Sequence, residues 1–281
     1  MQSNRDIGLK LLKKFETEDH SMIEDFHEAT KLGTVPDPAF LRSVNAFLYA
    51  PSVRYLSARA WKEYAGFERI ALPHTSLGDM SLEQALAARR SMGNVKAPAG
   101  PRINVSDMAA ILQHSYGVTG ELRENKDMFP TLPLRATCSA GGLYPLEIYP
   151  LVLNVDGLAS GLYHYSVMDH SLELLRQEDV SACYPDFASQ QAMCQSANVI
   201  FLITAVMRRT LSKYKHRGYR FIMNDAGALC QSLYLTSAAV GASCSAWGGF
   251  CDDQAGEYLG IDNVDEVVVL GFVVGAHRAC P

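Results

Sequence analysis

"NDAGALCQSLYLTSAAVGASCSAWGGF", residues 224–250, leads from a long apolar helix into a pair of glycines beside a tryptophan. The helix reads as residues 219–240, where small and apolar residues dominate. Gly248 and Gly249 then allow backbone to lie against a planar ring. A loop around one packed tryptophan meets the same pattern, and the acidic stretch after it, "DDQAGEYLG" (252–260), reads as a turn. A second glycine pair stands upstream in "CSAGGLYP", residues 138–145. Gly141 and Gly142 permit close backbone approach to a flat ligand, and Ser139 can donate a hydrogen bond. A tight turn into a strand fits equally well. This upstream pair is not a dinucleotide fingerprint, since it precedes a strand and lacks the GxGxxG order.

Outward from these pairs, strands and helices alternate. "SLEQALAARR" (81–90) predicts a helix capped by Ser81. "NVSDMAAILQHSYGVTG" (104–120) predicts another, with Ser106 as cap and Gly117 or Gly120 as stop. "TLPLRATCSAGGLYPLEIYPLVLNV" (131–155) starts as loop and ends as strand, and "SGLYHYSVMDHSLELL" (160–175) reads as two strands around a turn at "MDH". Residues 196–206 and "VDEVVVLGFVVGA" (264–276) complete the strands. The alternation indicates an α/β or α+β sheet domain. Upstream, Ile7, Leu11, Leu12 and Phe15, then Met22, Ile23 and Phe26, recur at helical spacing over residues 6–32. "TVPDPAF" breaks that pattern, and residues 33–78, rich in Pro, Tyr and Arg, carry no clear period.

The whole chain narrows the classes. It has 281 residues, of which 48% are hydrophobic and 20% charged, as in a globular protein with a sizeable core. A net charge of −5 and a pI near 5.9 argue against broad nucleic-acid binding. The longest apolar run, "VVVLGFVVGA", is too short to cross a bilayer, and no apolar signal core opens the chain. Seven cysteines without a CxxC pair point to free thiols in a reducing cytoplasm and away from structural zinc.

Against that acidic balance, "MRRTLSKYKHRGYR" (207–220) holds six Lys or Arg and no acid. It separates an apolar strand from the long helix. "ARRSMGN" (88–94) ends a helix with Arg89, Arg90 and Ser91, two guanidiniums and a hydroxyl that can grip a phosphate. A solvated helix end explains that pattern as well.

In this order the stretches resemble the FMN-dependent nitroreductase fold, and within it the SagB-type dehydrogenases, oxidases that make azoles in the microcin and streptolysin pathways. The resemblance covers residues 80–281 and is carried by "CSAGGLYPLEIYPLVLNVDGLASGLYHY" and "NDAGALCQSLYLTSAAVGASCSAWGGF"; "DFHEATK" (25–31) extends it weakly. It implies an α+β fold whose central, mostly antiparallel sheet is flanked by helices in a domain-intertwined homodimer. Residues 1–79 would be an N-terminal extension and 80–281 the FMN-binding domain. It assigns Arg89, Arg90 and Ser91 to the FMN phosphate and ribityl chain, Ser139 and Gly141 to the isoalloxazine edge, and Gly248 and Gly249 to the hydride-accepting ring nitrogen. Arg278 would meet the phosphate. Two positions depart from many relatives: Cys138 stands where they have proline, and Gly93 where they have a basic residue.

"LSKYKHRGYR" is similar to the azoline-oxidase segment with a Lys-Tyr pair before "RGYR", and Lys213 and Tyr214 fall on that pair. An azoline becomes an azole by losing a proton from one ring carbon and a hydride from its neighbour. The resemblance therefore casts one of Lys213 and Tyr214 as the base and the other as its orienting partner. A lysine needs its pKa lowered by burial or nearby positive charge for that role. The implied partners are a second copy, a peptide substrate and a cyclodehydratase. The competing readings are a general NAD(P)H-dependent nitroreductase or quinone reductase, a scaffold subunit without catalysis, and an oxidase of carrier-bound azolines.

Overall fold

The computed structural model describes residues 21–35, 37–91, 101–122, 131–189 and 191–277. Three helices come first: α1 (Ser21–Ala29), α2 (Pro38–Tyr49) and α3 (Pro51–Ala58). Strand β1 (Glu68–Ala71) and helices α4 (Leu82–Ala88) and α5 (Val105–Tyr116) follow, then the short strands β2 (Val118–Leu122) and β3 (Leu132–Arg135). Next come β4 (Leu146–Val152), β5 (Gly161–Ser166), β6 (Ser171–Arg176), α6 (Gln191–Gln195) and β7 (Ala197–Val206). The chain continues through α7 (Met207–Tyr214), α8 (Gly218–Ala239), β8 (Ala242–Trp247), α9 (Asp252–Leu259) and β9 (Glu266–His277).

Seven strands form one sheet in the order β1-β6-β5-β4-β7-β9-β8, every neighbour antiparallel. β7 lies inside it, between β4 and β9, and is apolar on both faces. Val199, Phe201, Ile203 and Ala205 enter one core with α5 and α8, while Ile200 and Leu202 enter a second with Trp247 and Leu259. A strand buried on both sides has no polar alternation, which is why "ANVIFLITAV" reads as a continuous apolar run. Each fully buried Phe or Ile there contributes roughly 1.5–3 kcal/mol.

The strands at 160–175, 196–206 and 264–276 and the helix at 219–240 stand where the sequence predicts them. Five details differ. The cap of α5 is Asn104, not Ser106, because the Asn104 side chain accepts from the Ser106 and Asp107 amides while Asp107 reaches back to Asn104 N–H. Gly117 ends that helix, and residues 118–122 continue as β2, paired with β3 in a stretch expected to be loop. "DDQAGEYL" is the helix α9, closed by Gly260 at φ +75°. "ASCSAW" is an edge strand of the sheet. The first helix, described from Ser21, ends at Ala29 rather than residue 32.

Residues 33–78, without a period in sequence, build α2, α3 and the sheet edge β1. Asp37 caps α2 through Ala39 N–H. Between α3 and β1, Lys62 Nζ donates to Glu266 Oε2 at 2.7 Å and to Tyr149 Oη at 2.9 Å, pinning this segment to the sheet. Among the described residues no helix is long and apolar enough to cross a membrane.

Candidate functional site

The turn between β3 and β4 carries the first glycine pair, with Gly141 and Gly142 both at φ +66°. Ser139 Oγ–H donates to Asp225 Oδ2 at 2.6 Å, and Ala140 N–H donates to Asp225 Oδ1 at 3.2 Å. Tyr144 N–H in turn donates to Ser139 Oγ at 2.9 Å. Asp225 on α8 therefore holds the turn from below. Burial raises its carboxyl, against the two hydrogen bonds.

Above the turn lie Lys213 and Tyr214, at the end of α7. A Cβ on Gly141 would stand 2.5 Å from Tyr214 Oη and 2.7 Å from Lys213 Nζ, so any larger residue would displace the ends of both side chains. α7 leaves the end of β7 and turns Thr210 and Lys213 inward. Helix α2 crosses over it: Ser43 Oγ donates to Lys213 O at 2.8 Å, and the Phe47 ring centroid is 5.7 Å from Lys213 Nζ. Lys213 is 8% exposed. Burial and then the positive charge of Arg54 hold its ammonium below the ordinary lysine value, with no acid opposing them among the described residues. Tyr214 moves the other way, raised by burial and then by Asp225. Its ring packs edge-on against Phe221 at 4.8 Å.

Four of the other five cations of this stretch, Arg208, Arg209, Arg217 and Arg220, have structural partners. Arg208 pairs with Asp265 at 2.8 Å. Arg209 reaches Glu147 Oε1 at 2.6 Å and donates to Tyr144 O at 3.1 Å, bracing the glycine turn. Glu147 also receives His164, whose second ring nitrogen meets Glu173 at 2.8 Å. Burial alone would raise the Glu147 carboxyl, but Arg209 and His164 outweigh it and hold it at about 2. Arg217 donates to Thr30 O and Arg220 to Thr30 Oγ1 and His27 O, so "RGYR" fastens the end of α1.

A second cluster forms at the other end of α8. α4 stops at Ala88, leaving Arg89, Arg90 and Ser91 in the segment after it. The Arg89 guanidinium lies 5.2 Å from the Tyr234 ring centroid. Ser91 Oγ and Tyr234 Oη are hydrogen-bonded at 2.8 Å, and Ala246 N–H donates to Tyr234 Oη at 2.7 Å. Arg90 folds back on Ala87 O and Arg89 O. Just beyond Ala246, a Cβ on Gly248 would meet nothing within 4 Å. Gly249 O accepts from Trp247 Nε1 at 3.1 Å and Ser189 N at 2.9 Å. The Gly248 and Gly249 amides donate to no group among the described residues. This cluster offers guanidinium, hydroxyl and free amide donors beside open space.

The fold thus joins Gly141, Ser139, Lys213 and Tyr214, and separately Arg89, Arg90, Ser91 and Gly248. Asp225 and Tyr234, which anchor the two groups, are nine residues apart on α8, about 13 Å along its axis. Arg278 lies outside the described residues. Sequence reading missed three site residues. Asp225 was signalled by a lone acid in an apolar helix. Tyr234 and Phe47 left no signal, because their partners are remote in sequence.

Residues 101–276 match the Nitroreductase family, and the chain belongs to it. Over 192 residues it is 32% identical to the nitroreductase-like protein MJ1384 of Methanocaldococcus jannaschii, spanning 68% of this chain and 89% of that one. It is 23% identical over 129 residues to the microcin B17-processing protein McbC of Escherichia coli, spanning 44% of this chain and 47%, about half, of that protein. The E. coli microcin synthetase McbBCD complex with truncated pro-MccB17 bound shares the fold, with a TM-score of 0.54 at 17% identity over 96% of this chain and 98% of that one.

Proposed function

We propose that this chain is an FMN-dependent oxidoreductase that converts azolines in a modified peptide to azoles, acting as a homodimer beside the cyclodehydratase that forms the azoline. One observation carries the reading: Lys213, buried and without an acidic partner among the described residues, stands with Tyr214 over the backbone of Gly141. The microcin B17-processing role of McbC, a relative over 44% of the chain, supports it.

The residues present fit FMN. Arg89 and Ser91 suit its phosphate and ribityl hydroxyls, with Arg90 and Arg278 as further cations. Gly248 opens space where a Cβ would meet nothing, and the Gly248 and Gly249 amides are available as donors to the flat ring. Gly141 brings backbone to the ring edge. The Ser139 hydroxyl hydrogen is committed inward to Asp225, so at the ring edge this residue offers a lone pair. The two clusters complete each other in a symmetric dimer, where one chain's arginines and amides face its partner's glycine turn.

FMN, when bound, supplies the acceptor for the hydride that leaves the azoline. The chain's own residues move the proton. Lys213 is shifted toward the neutral amine and Tyr214 toward the protonated phenol, so Lys213 takes the carbon-bound proton and Tyr214 donates a hydrogen bond that orients the ring. Phe47 and α2 shield the amine from water.

The test is Lys213→Ala and Tyr214→Phe in the yellow protein. Both should retain FMN and lose azole formation; near-normal turnover in both would sink the proposal. The 32% identity to MJ1384 favours a second reading, a general NAD(P)H-dependent reductase. Oxidation of NAD(P)H with a nitroaromatic, undiminished in Lys213→Ala, would select it.

A further inference from the structure

Beside the Lys213 site, residues of helices α2, α3 and α7 line a cavity of about 550 Å³. That volume suits a small ligand or a side chain with its adjoining backbone. Ala46 and Phe47 of α2, Val53 and Leu56 of α3, then Ala60 and Leu143, make its apolar wall.

The polar side chains around it are mostly spent. Ser43 Oγ donates to Phe40 O and Lys213 O, and Ser57 Oγ to Arg54 O. Arg208 pairs with Asp265, and Arg209 with Glu147 and Tyr144 O. What the cavity offers an occupant is therefore chiefly apolar surface, together with the exposed Arg59 and Ser212, whose side chains have no partner among the described residues. It is one side chain away from the chemistry, since Phe47 lines it and also lies against Lys213 Nζ. Leu143 extends the same wall from the turn that carries Gly141.

We infer that this cavity is a specificity subsite: it receives an apolar or aromatic side chain of the peptide residue that flanks the ring facing Lys213. This rests on the azoline-oxidase reading for the identity of the ring. Burying such a side chain removes apolar surface from water without stripping any polar group of its partner. It also fixes the position of the adjoining ring, because the subsite and the base share Phe47.

Two finished azole peptides, which cannot be oxidised further, test this directly. They differ only at the residue beside the azole, Phe in one and Gly in the other, and each is titrated calorimetrically into the full FMN-loaded chain. The Phe peptide should bind about tenfold tighter or better. Ala46→Trp and Ser57→Phe fill the cavity from α2 and from α3. Either should bring the two affinities within twofold while leaving the Gly peptide unchanged. Equal binding of both peptides to the wild type, no binding of either, or a Phe advantage that survives both folded variants overturns the subsite. Thermal unfolding checks the variants, and if neither folds the wild-type comparison decides alone. Turnover of the matching azoline peptides reports separately on the reaction. If neither is oxidised but the Phe preference holds and is lost in the variants, the subsite stands and the reaction falls. If both are oxidised but bind equally, the reaction stands and the subsite falls.

Discussion

Lys213 Nζ hangs over the backbone of Gly141, 2.7 Å from where a Cβ would be. Gly142 has the same φ of +66° but faces open space. Gly141→Ala and Gly142→Ala therefore share a backbone cost of about 1 kcal/mol or more. Only Gly141→Ala also pushes the amine and the Tyr214 hydroxyl away. Azole formation should fall at least about tenfold further in Gly141→Ala than in Gly142→Ala, by single-turnover assay on FMN-loaded protein. Equal losses would mean that the contact has no catalytic weight.

The pH profile should show the lowered lysine. Activity needs the neutral amine, so kcat rises through the Lys213 pKa, below the ordinary lysine value. Burial is the larger cause and Arg54 the second. Arg54→Gln removes a positive charge that disfavours the ammonium. The rising limb should move to higher pH, and at neutral pH the rate should drop several-fold while the plateau at high pH stays. A limb that does not move would take Arg54 out of the site.

Glu147 links stability to acid. Its folded pKa, about 2, lies below the ordinary carboxylate value, so the carboxylate favours the folded state above that ordinary value. The contribution is lost as pH falls from about 5 through about 2. Glu147→Gln leaves Arg209 without its buried acid and should cost about 3–5 kcal/mol at pH 7. Urea unfolding from pH 7 to pH 3 checks the sign: the gap between wild type and variant should narrow as the pH drops.

Arg89 and Ser91 meet at Tyr234, beside the free Gly248 amide. Arg89→Ala should weaken FMN by roughly tenfold or more through one lost charge-assisted contact. Tyr234→Phe, which removes the hydroxyl holding Ser91 and Ala246 N–H, should weaken it less. Fluorescence titration of the apoprotein with FMN measures both. An unchanged affinity in Arg89→Ala would place the phosphate elsewhere.

Legibility differed along the chain for physical reasons. β7 was readable because burial on both faces leaves an unbroken apolar run, and α8 because small and apolar residues fill more than five turns. β2 and β3 escaped notice because they lie at the surface, where few side chains are buried and no strong alternation is needed. α9 was taken for a turn because its first residues are acidic; the same acids suit a helix N-terminus. α2 packs against α7 and α3 without burying any residue fully, so no apolar stripe stands out among prolines and tyrosines.

At the site, local sequence determined the pieces. Two glycine pairs, an Arg-Arg-Ser run and a Lys-Tyr pair each need only their own neighbours to be recognised, and the strand–helix order narrowed the fold to an α/β or α+β sheet domain. Only the tertiary structure decided how they act. It put Lys213 over Gly141 across more than seventy residues of chain, and it turned Ser139 inward to Asp225. It spent Arg208, Arg209, Arg217 and Arg220 on structural partners, leaving Lys213 buried without an acid among the described residues. Charge, burial and hydrogen-bond direction depend on which distant groups share a volume, and that is settled when the sheet and its helices pack.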